Sequence, residues 1–414
     1  MASGLAPSIR DHRPGCWAIG FVIATGLTGW MMEMLSVAEI PWSPQAVGWC
    51  WSPFVVLAVL RGKWVWVAGP PRVPQGRLRQ AKRPLSWRAG MALLAIAAIL
   101  ACVRVQIPVS SRETWDGWAE FGFKAKAGFQ VRGVPWAFLV APQYDFSMPH
   151  YAIGLPSVQA GLALFSGGID ERLLLWLPLA HSIALIGLLG ALLTEVGAGY
   201  WAPLFCGMFS LMPVFQRWAV SGYQDIPVAA AMTGALWLLL RASHGRIADW
   251  AVGLVAGTAG LIKNEGLVWG VGCLIVMASR CWTRRTSIGG FASALLIWAA
   301  LVAPWRLETL RLHHVSKDYV IDPGRMTAGI PGRLPVVLRA VLYEGWEGGA
   351  SEMALRSVDP GKPGQWWAHL SSTWNIFWYA AAAALAMGWR RLTRPPAPGI
   401  LFLVLVMAMA YMSA

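Results

Sequence analysis

Leu173-Leu-Leu-Trp-Leu-Pro-Leu-Ala-His-Ser-Ile-Ala-Leu-Ile-Gly-Leu-Leu-Gly-Ala-Leu-Leu-Thr194 contains no acid, lysine or arginine. A helix needs about 20 such residues to cross the hydrocarbon core of a bilayer. Lipid offers the backbone no hydrogen-bond partner, so a run of this kind must be helical there. Working outward, comparable apolar runs recur at 16–36, 46–68, 89–107, 197–216, 226–241, 249–262, 266–279, 288–305, 371–389 and 397–414. The chain therefore reads as an all-α membrane protein, a polytopic helical bundle of about eleven transmembrane helices. Composition agrees: of 414 residues 57% are hydrophobic and only 13% charged, roughly half the charged share of a soluble protein.

The net charge of +14 would suggest nucleic acid in a soluble chain. Here its distribution follows the positive-inside rule, and no nucleic-acid partner is expected. Arg61, Lys63, Arg72, Arg77, Arg79, Lys82, Arg83 and Arg88 fill one loop that has no acid. With a cytoplasmic N-terminus this loop is cytoplasmic. So are Arg241 with Arg246, Arg280 with Arg284 and Arg285, and Arg390 with Arg391 and Arg394, provided that Tyr151 to about Phe165 does not cross. That stretch is short, and Gly154 and Pro156 interrupt it, so it reads as a helix lying along the interface. The first run, after Arg10 and Arg13, reads as a retained anchor and not a cleaved leader. The six cysteines lack metal or redox spacing and read as small core residues.

Four regions follow. Residues 1–88 hold two spans and the basic loop. Residues 89–305 form a core with an outward loop at 108–172. Residues 306–370 are a second outward loop. Residues 371–414 carry the last spans and stop inside an apolar run, which reads as a truncated end. The absence of a glycosylation sequon and the Arg-rich loops fit a multi-pass protein of a bacterial inner membrane.

On this topology the conspicuous polar residues share the outer face. Glu113-Thr-Trp115-Asp116-Gly-Trp118-Ala-Glu120-Phe-Gly-Phe-Lys124-Ala-Lys126 opens the first outward loop. Ionisable groups held against a bilayer are costly and usually functional. Asp116, Glu120 and Lys124 have i, i+4 spacing, which suits either a surface salt-bridge ladder or a carboxylate base with lysines facing an anion. Asp145 and His150 flank the start of the interfacial segment. Arg217-Trp-Ala-Val-Ser-Gly-Tyr-Gln-Asp225-Ile-Pro227 precedes a span, where Asp225 could be an N-cap, a site acid or both. Lys263-Asn-Glu265-Gly266 turns between two spans, as a self-neutralising pair or as a phosphate-facing lysine. His313-His314 has no partner at zinc-ligand spacing. No Walker loop, HExxH or GxSxG occurs.

This order of features resembles the GT-C superfamily of polytopic glycosyltransferases, nearest the protein O-mannosyltransferases and lipid A aminoarabinose transferases. There an acidic motif opens the first large outward loop, the position filled here by Trp115-Asp116-Gly117-Trp118. Asp145-Phe-Ser-Met-Pro149-His150-Tyr151, Arg217 to Pro227, and Leu261-Ile-Lys263-Asn264-Glu265-Gly266 follow in the family's order. The likeness covers about 89–305. Where the mannosyltransferases carry adjacent Asp-Glu, Gly117 follows Asp116 here. The resemblance implies transfer of a sugar from a polyprenyl-phosphate donor to a glycan, lipid or protein acceptor, with inversion. Asp116 would be the base. Lys263, with Lys124, Lys126 or Arg217, would hold the phosphate. Asp225 would orient the acceptor or lysine, or join Asp116 on a divalent cation. Trp115 and Trp118 would pack on the prenyl chain or sugar, with Glu120, Asp145, His150 and Glu265 lining the cleft. The competing class is a transporter or flippase of lipid-linked head groups, which should carry internal repeats and charged or broken helices at mid-membrane. No repeat is evident.

Overall fold

The structure, a computed structural model, describes residues 13–67, 116–196, 202–210, 213–243, 248–283 and 286–311. The runs at 89–107, 371–389 and 397–414, the basic loop from 68 onward, Trp115 and His313-His314 lie outside the described residues. Everything described is helix or connecting turn, with no β-strand among the described residues. The helices are α1 (Arg13–Val37), α2 (Pro44–Val67), a π-helix (Asp116–Gly122), α3 (Phe123–Val131), α4 (Trp136–Leu139), a 3-10 turn (Pro142–Ser147), α5 (Gly154–Ser166) and α6 (Glu171–Glu195). Then come α7 (Ala202–Ser210), α8 (Pro213–Ala219), α9 (Asp225–Ser243), α10 (Trp250–Ile262), α11 (Asn264–Trp282) and α12 (Ile288–Arg311). Five of them, α1, α6, α9, α11 and α12, are long and apolar enough to cross a membrane.

Local signals set several of these boundaries. Asp170 accepts a hydrogen bond from Arg172 N at 2.9 Å and caps α6, with Glu171 in the first turn, where an acid suits the helix dipole. Gly167, at φ +80°, ends α5 in the left-handed region that glycine tolerates. Between α10 and α11 only Lys263 leaves the helical region, at φ −153° and ψ 156°. One extended residue thus turns the chain back on itself.

The core is assembled around α10, which is buried from Ala251 to Ile262 at every position but Leu254. Its glycines admit neighbours that a side chain would exclude. A Cβ on Gly253 would lie 2.1 Å from the Ala294 carbonyl oxygen, and one on Gly257 would lie 2.7 Å from Leu301 Cδ1. Within a bilayer, where burial gives helices little driving force to associate, such close approach is what holds them together. Trp237, Leu188, Val22, Val252 and Val255 fill the surrounding space at essentially zero exposure.

Helices α6, α9 and α11 run one way through the bundle, and α1, α10 and α12 run the other. At one end Arg241 Nη1 meets Glu195 at 3.1 Å, joining the ends of α9 and α6, with both side chains buried. Arg280 Nη2 donates to the Ala242 carbonyl at 3.1 Å. The starts of α10 and α12 meet there too, since a Cβ on Gly290 would collide with the Asp249 carboxylate. At the other end, Arg306 Nη2 donates to Asn264 Oδ1 at 2.5 Å, joining α12 to the turn that opens α11. Arg241 and Arg280, which the charge distribution puts on one side, thus share one end of the bundle.

Two expectations are corrected. The 151–165 segment is helical and, at 13 residues, too short to cross, but α5 does not lie on the outside of the bundle. Its residues from Gly154 to Gly161 are all buried. The Gly154 backbone is wedged between α1 and α10, since added Cβ atoms on Gly29 and Gly154 would meet Gly154 O at 2.4 Å and Leu261 O at 2.5 Å. A helix apolar on every face is covered on every face. Second, α12 continues through Arg306 to Arg311, so the helix occupies what was read as the start of the 306–370 loop.

Candidate functional site

Three segments far apart in sequence meet at the Lys263 end. Gly222, at φ +78°, folds the turn before α9 onto the π-helix, where a Cβ would lie 3.3 Å from Gly117 Cα. That contact sets the backbone beside Asp116 against the residues leading to Asp225. Asp225 begins α9, and its Oδ1 accepts from Lys263 Nζ at 3.0 Å. Glu265 Oε1 lies 3.2 Å from the same nitrogen. Lys263 is therefore not displayed outward: its side chain is 12% exposed and is held between two carboxylates. Burial alone would lower its pKa, but Asp225 and Glu265 together raise it, so the ammonium stays charged.

Tyr151 joins this group to a second one. Lys263 Nζ and Lys124 Nζ each lie 5.9 Å from the centre of its ring, within cation–π range. Lys124 Nζ also donates to the Met148 carbonyl at 2.7 Å and sits 6.0 Å from the Phe121 ring. Lys124 is 1% exposed. Burial pushes its pKa down to about 7, against the pull of the Glu120 carboxylate. His150 packs beside Tyr151, with ring centres 5.1 Å apart.

The surface-ladder reading of the opening motif fails on burial, because Glu120 and Lys124 both point into the protein. The simple i, i+4 stripe fails as well. Asp116–Gly122 is a π-helix, whose wider turn brings i and i+5 together. Such turns frequently occur at functional sites. Trp118 is exposed, as a lipid- or sugar-facing ring requires, and Phe121 is buried. The backbone of Asp116 starts the π-helix and Arg217 lies in α8; their side chains are outside the described set.

Other nominated residues are not brought into the cluster. Lys126 is ion-paired with Glu171 at the start of α6. Asp145 is exposed on the 3-10 turn. No group of three His, Cys, Asp or Glu side chains that could hold a metal occurs among the described residues. At Asp225 the position a cation would take is filled by the Lys263 ammonium. No disulfide joins the described cysteines. A shallow groove around Trp282 and Phe291 lies at the opposite end of the bundle, away from this chemistry.

Sequence reasoning missed Glu33, Tyr151 and Arg306. Glu33 lies in α1, is 1% exposed, and among the described residues has no hydrogen-bond partner for either carboxylate oxygen. Its charged neighbours are Arg306 and Glu308. It was visible as an acid inside the first apolar run, a placement that argues for function by default. Arg306 was set aside as the first residue of a loop.

Compared with known protein families, curated sequences and solved structures, the chain matches none of them.

Proposed function

We propose that the protein is an integral membrane glycosyltransferase of the GT-C type, working at the Lys263 end of the bundle on a polyprenyl-phosphate-linked sugar. One observation carries this reading. The π-helix that begins at Asp116 lies about a hundred residues or more before the turn leading to Asp225 and before Lys263, and the last two are themselves 38 residues apart. They nevertheless meet at one end of an apolar bundle. Gathering ionisable groups at such a position is costly unless chemistry is done there.

The donor's head group reaches this end from the lipid. Lys263 exchanges its contact with Asp225, the more exposed of its two carboxylate partners, for the donor phosphate. Freed, Asp225 orients the acceptor. The acceptor hydroxyl or amine attacks the anomeric carbon from the face opposite the phosphate. Its proton passes to Asp116, while the sugar–oxygen bond breaks and its electron pair leaves with the lipid phosphate. Lys263 offsets the charge gathering on that phosphate. The configuration at the anomeric carbon inverts. Trp118 offers an exposed ring to prenyl chain or sugar. The protein resides in a bacterial inner membrane with the Lys263 end facing the periplasm.

A transporter or flippase is the second reading. Glu33 favours it, as a buried acid within a membrane-length helix. Purified protein, extracted for its lipids and analysed by mass spectrometry, separates the two. A transferase carries a polyprenyl-phosphate sugar and, given acceptor, converts it to polyprenyl phosphate. A flippase carries the same lipid and leaves it intact.

A further inference from the structure

Gln224 lies in the turn before α9, between Gly222, which touches the π-helix, and Asp225, which holds Lys263. Its side chain is 0% exposed, yet among the described residues neither its amide nitrogen nor its amide oxygen has a hydrogen-bond partner. A primary amide has two donors and an oxygen that accepts twice. Burying all of these unmet is among the more expensive things a protein can do with a side chain. Glutamines kept for the sake of the fold are bonded. Its backbone carbonyl does take part in the fold, accepting from Val228 N at 2.9 Å, so the residue is well anchored while its side chain is left over.

We propose that Gln224 is a specificity-determining residue that reads the hydroxyls of the donor's sugar. This rests on the transferase reading above. The occupant must both donate and accept, because both ends of the amide are unmet. Phosphate oxygens only accept and would leave the amide oxygen bare. A prenyl chain can do neither. Neighbouring hydroxyls on a sugar ring do both, and a site that hydrogen-bonds a hydroxyl rejects molecules lacking it strongly. Entry to the amide runs through the seam where Gly222 rests on Gly117. Neither residue has a side chain to interlock, so the π-helix and the turn separate there when the head group enters.

The test uses the full-length protein, purified in detergent. Thermal unfolding and binding are measured without ligand, with bare polyprenyl phosphate, and with a panel of polyprenyl-phosphate sugars (a hexose, an N-acetylhexosamine and an aminopentose). Wild type should bind one sugar lipid more tightly than the bare lipid. In Gln224→Leu and Gln224→Met that preference should fall by roughly tenfold or more, while affinity for bare polyprenyl phosphate is unchanged. Without ligand both variants should melt at or above the wild-type temperature, because an unmet amide has been removed and no bond lost. A clear drop in melting temperature in both variants would mean that the amide is structural, and would overturn the proposal. Sugar preference retained by both variants would overturn it while leaving the transferase reading intact. A wild type that prefers no sugar lipid over the bare lipid would overturn both.

Discussion

Burial lowers the Lys124 ammonium to about 7 even though Glu120 pulls the other way, and this has a measurable consequence for stability. An unfolded lysine titrates near 10.4. Between about pH 7 and pH 10 the unfolded chain therefore binds a proton that the folded protein has released, so stability rises with pH across that window. Below pH 7 both states hold the proton and the contribution is flat. Lys124→Met, which keeps the length of the chain and loses the charge, should flatten the rise. Melting temperatures of wild type and variant at pH 7 and pH 9.5 decide it, and identical slopes would contradict the assignment. Lys263 behaves oppositely: its pKa is raised, so its stabilising contribution is complete throughout this window. Asp225 and Lys263 were legible as candidates from their place beside helix ends, but their ion pair was not, since no local spacing links positions 225 and 263. The burial of Lys124 was hidden for the same reason, because the residues that cover it, Met148 and Tyr151, come from beyond the next turn.

Helices α10 and α12 approach so closely that substitutions at their contact should be severe. A side chain at Gly253 would meet the Ala294 backbone, which cannot rotate away as a flexible side chain does. Gly253→Val should destabilise the protein by about 1–3 kcal/mol or more, read as a lower melting temperature. A variant as stable as wild type would mean that the two helices are further apart. The buried pair of Arg241 and Glu195 makes a second prediction for α6 and α9. Glu195→Ala should cost about 3–5 kcal/mol, because it strips a buried guanidinium of its carboxylate. Replacing both residues with apolar ones should restore most of that loss. Helix positions were readable because apolar length alone marks a span, and the observed bounds of α6, α9, α10 and α11 fall within a few residues of the apolar runs. By sequence α5 reads as a helix lying along the interface, because the segment is short and its glycine and proline interrupt it. Gly154 is there for a different reason, to let two other helices press against its backbone. The π-helix had no sequence signal, and Gly222, which rests against it, comes from a turn about a hundred residues further on.

At the scale of the whole molecule, α1, α10 and α12 run against α6, α9 and α11, which sends the site residues to one end and the Arg241 and Arg280 cluster to the other. Charge bias across the apolar runs anticipated this order, because lysine and arginine counts record sidedness without any knowledge of packing. It could not anticipate which of the gathered residues would touch. In a cysteine-free background, cysteines at Trp118 and Ser287, both exposed, should label differently in intact cells. An impermeant maleimide should reach position 118 directly and position 287 only after permeabilisation, and the reverse order would invert the topology. The central claim is that the Asp116, Asp225 and Lys263 cluster transfers a lipid-linked sugar. Its most direct test is the rate at which purified protein, given the polyprenyl-phosphate sugar it binds and an acceptor, releases polyprenyl phosphate. Asp116→Asn should lower that rate by about 100-fold or more and Asp225→Asn should lower it too, with melting temperature and donor binding retained. Full activity in both variants would contradict the account.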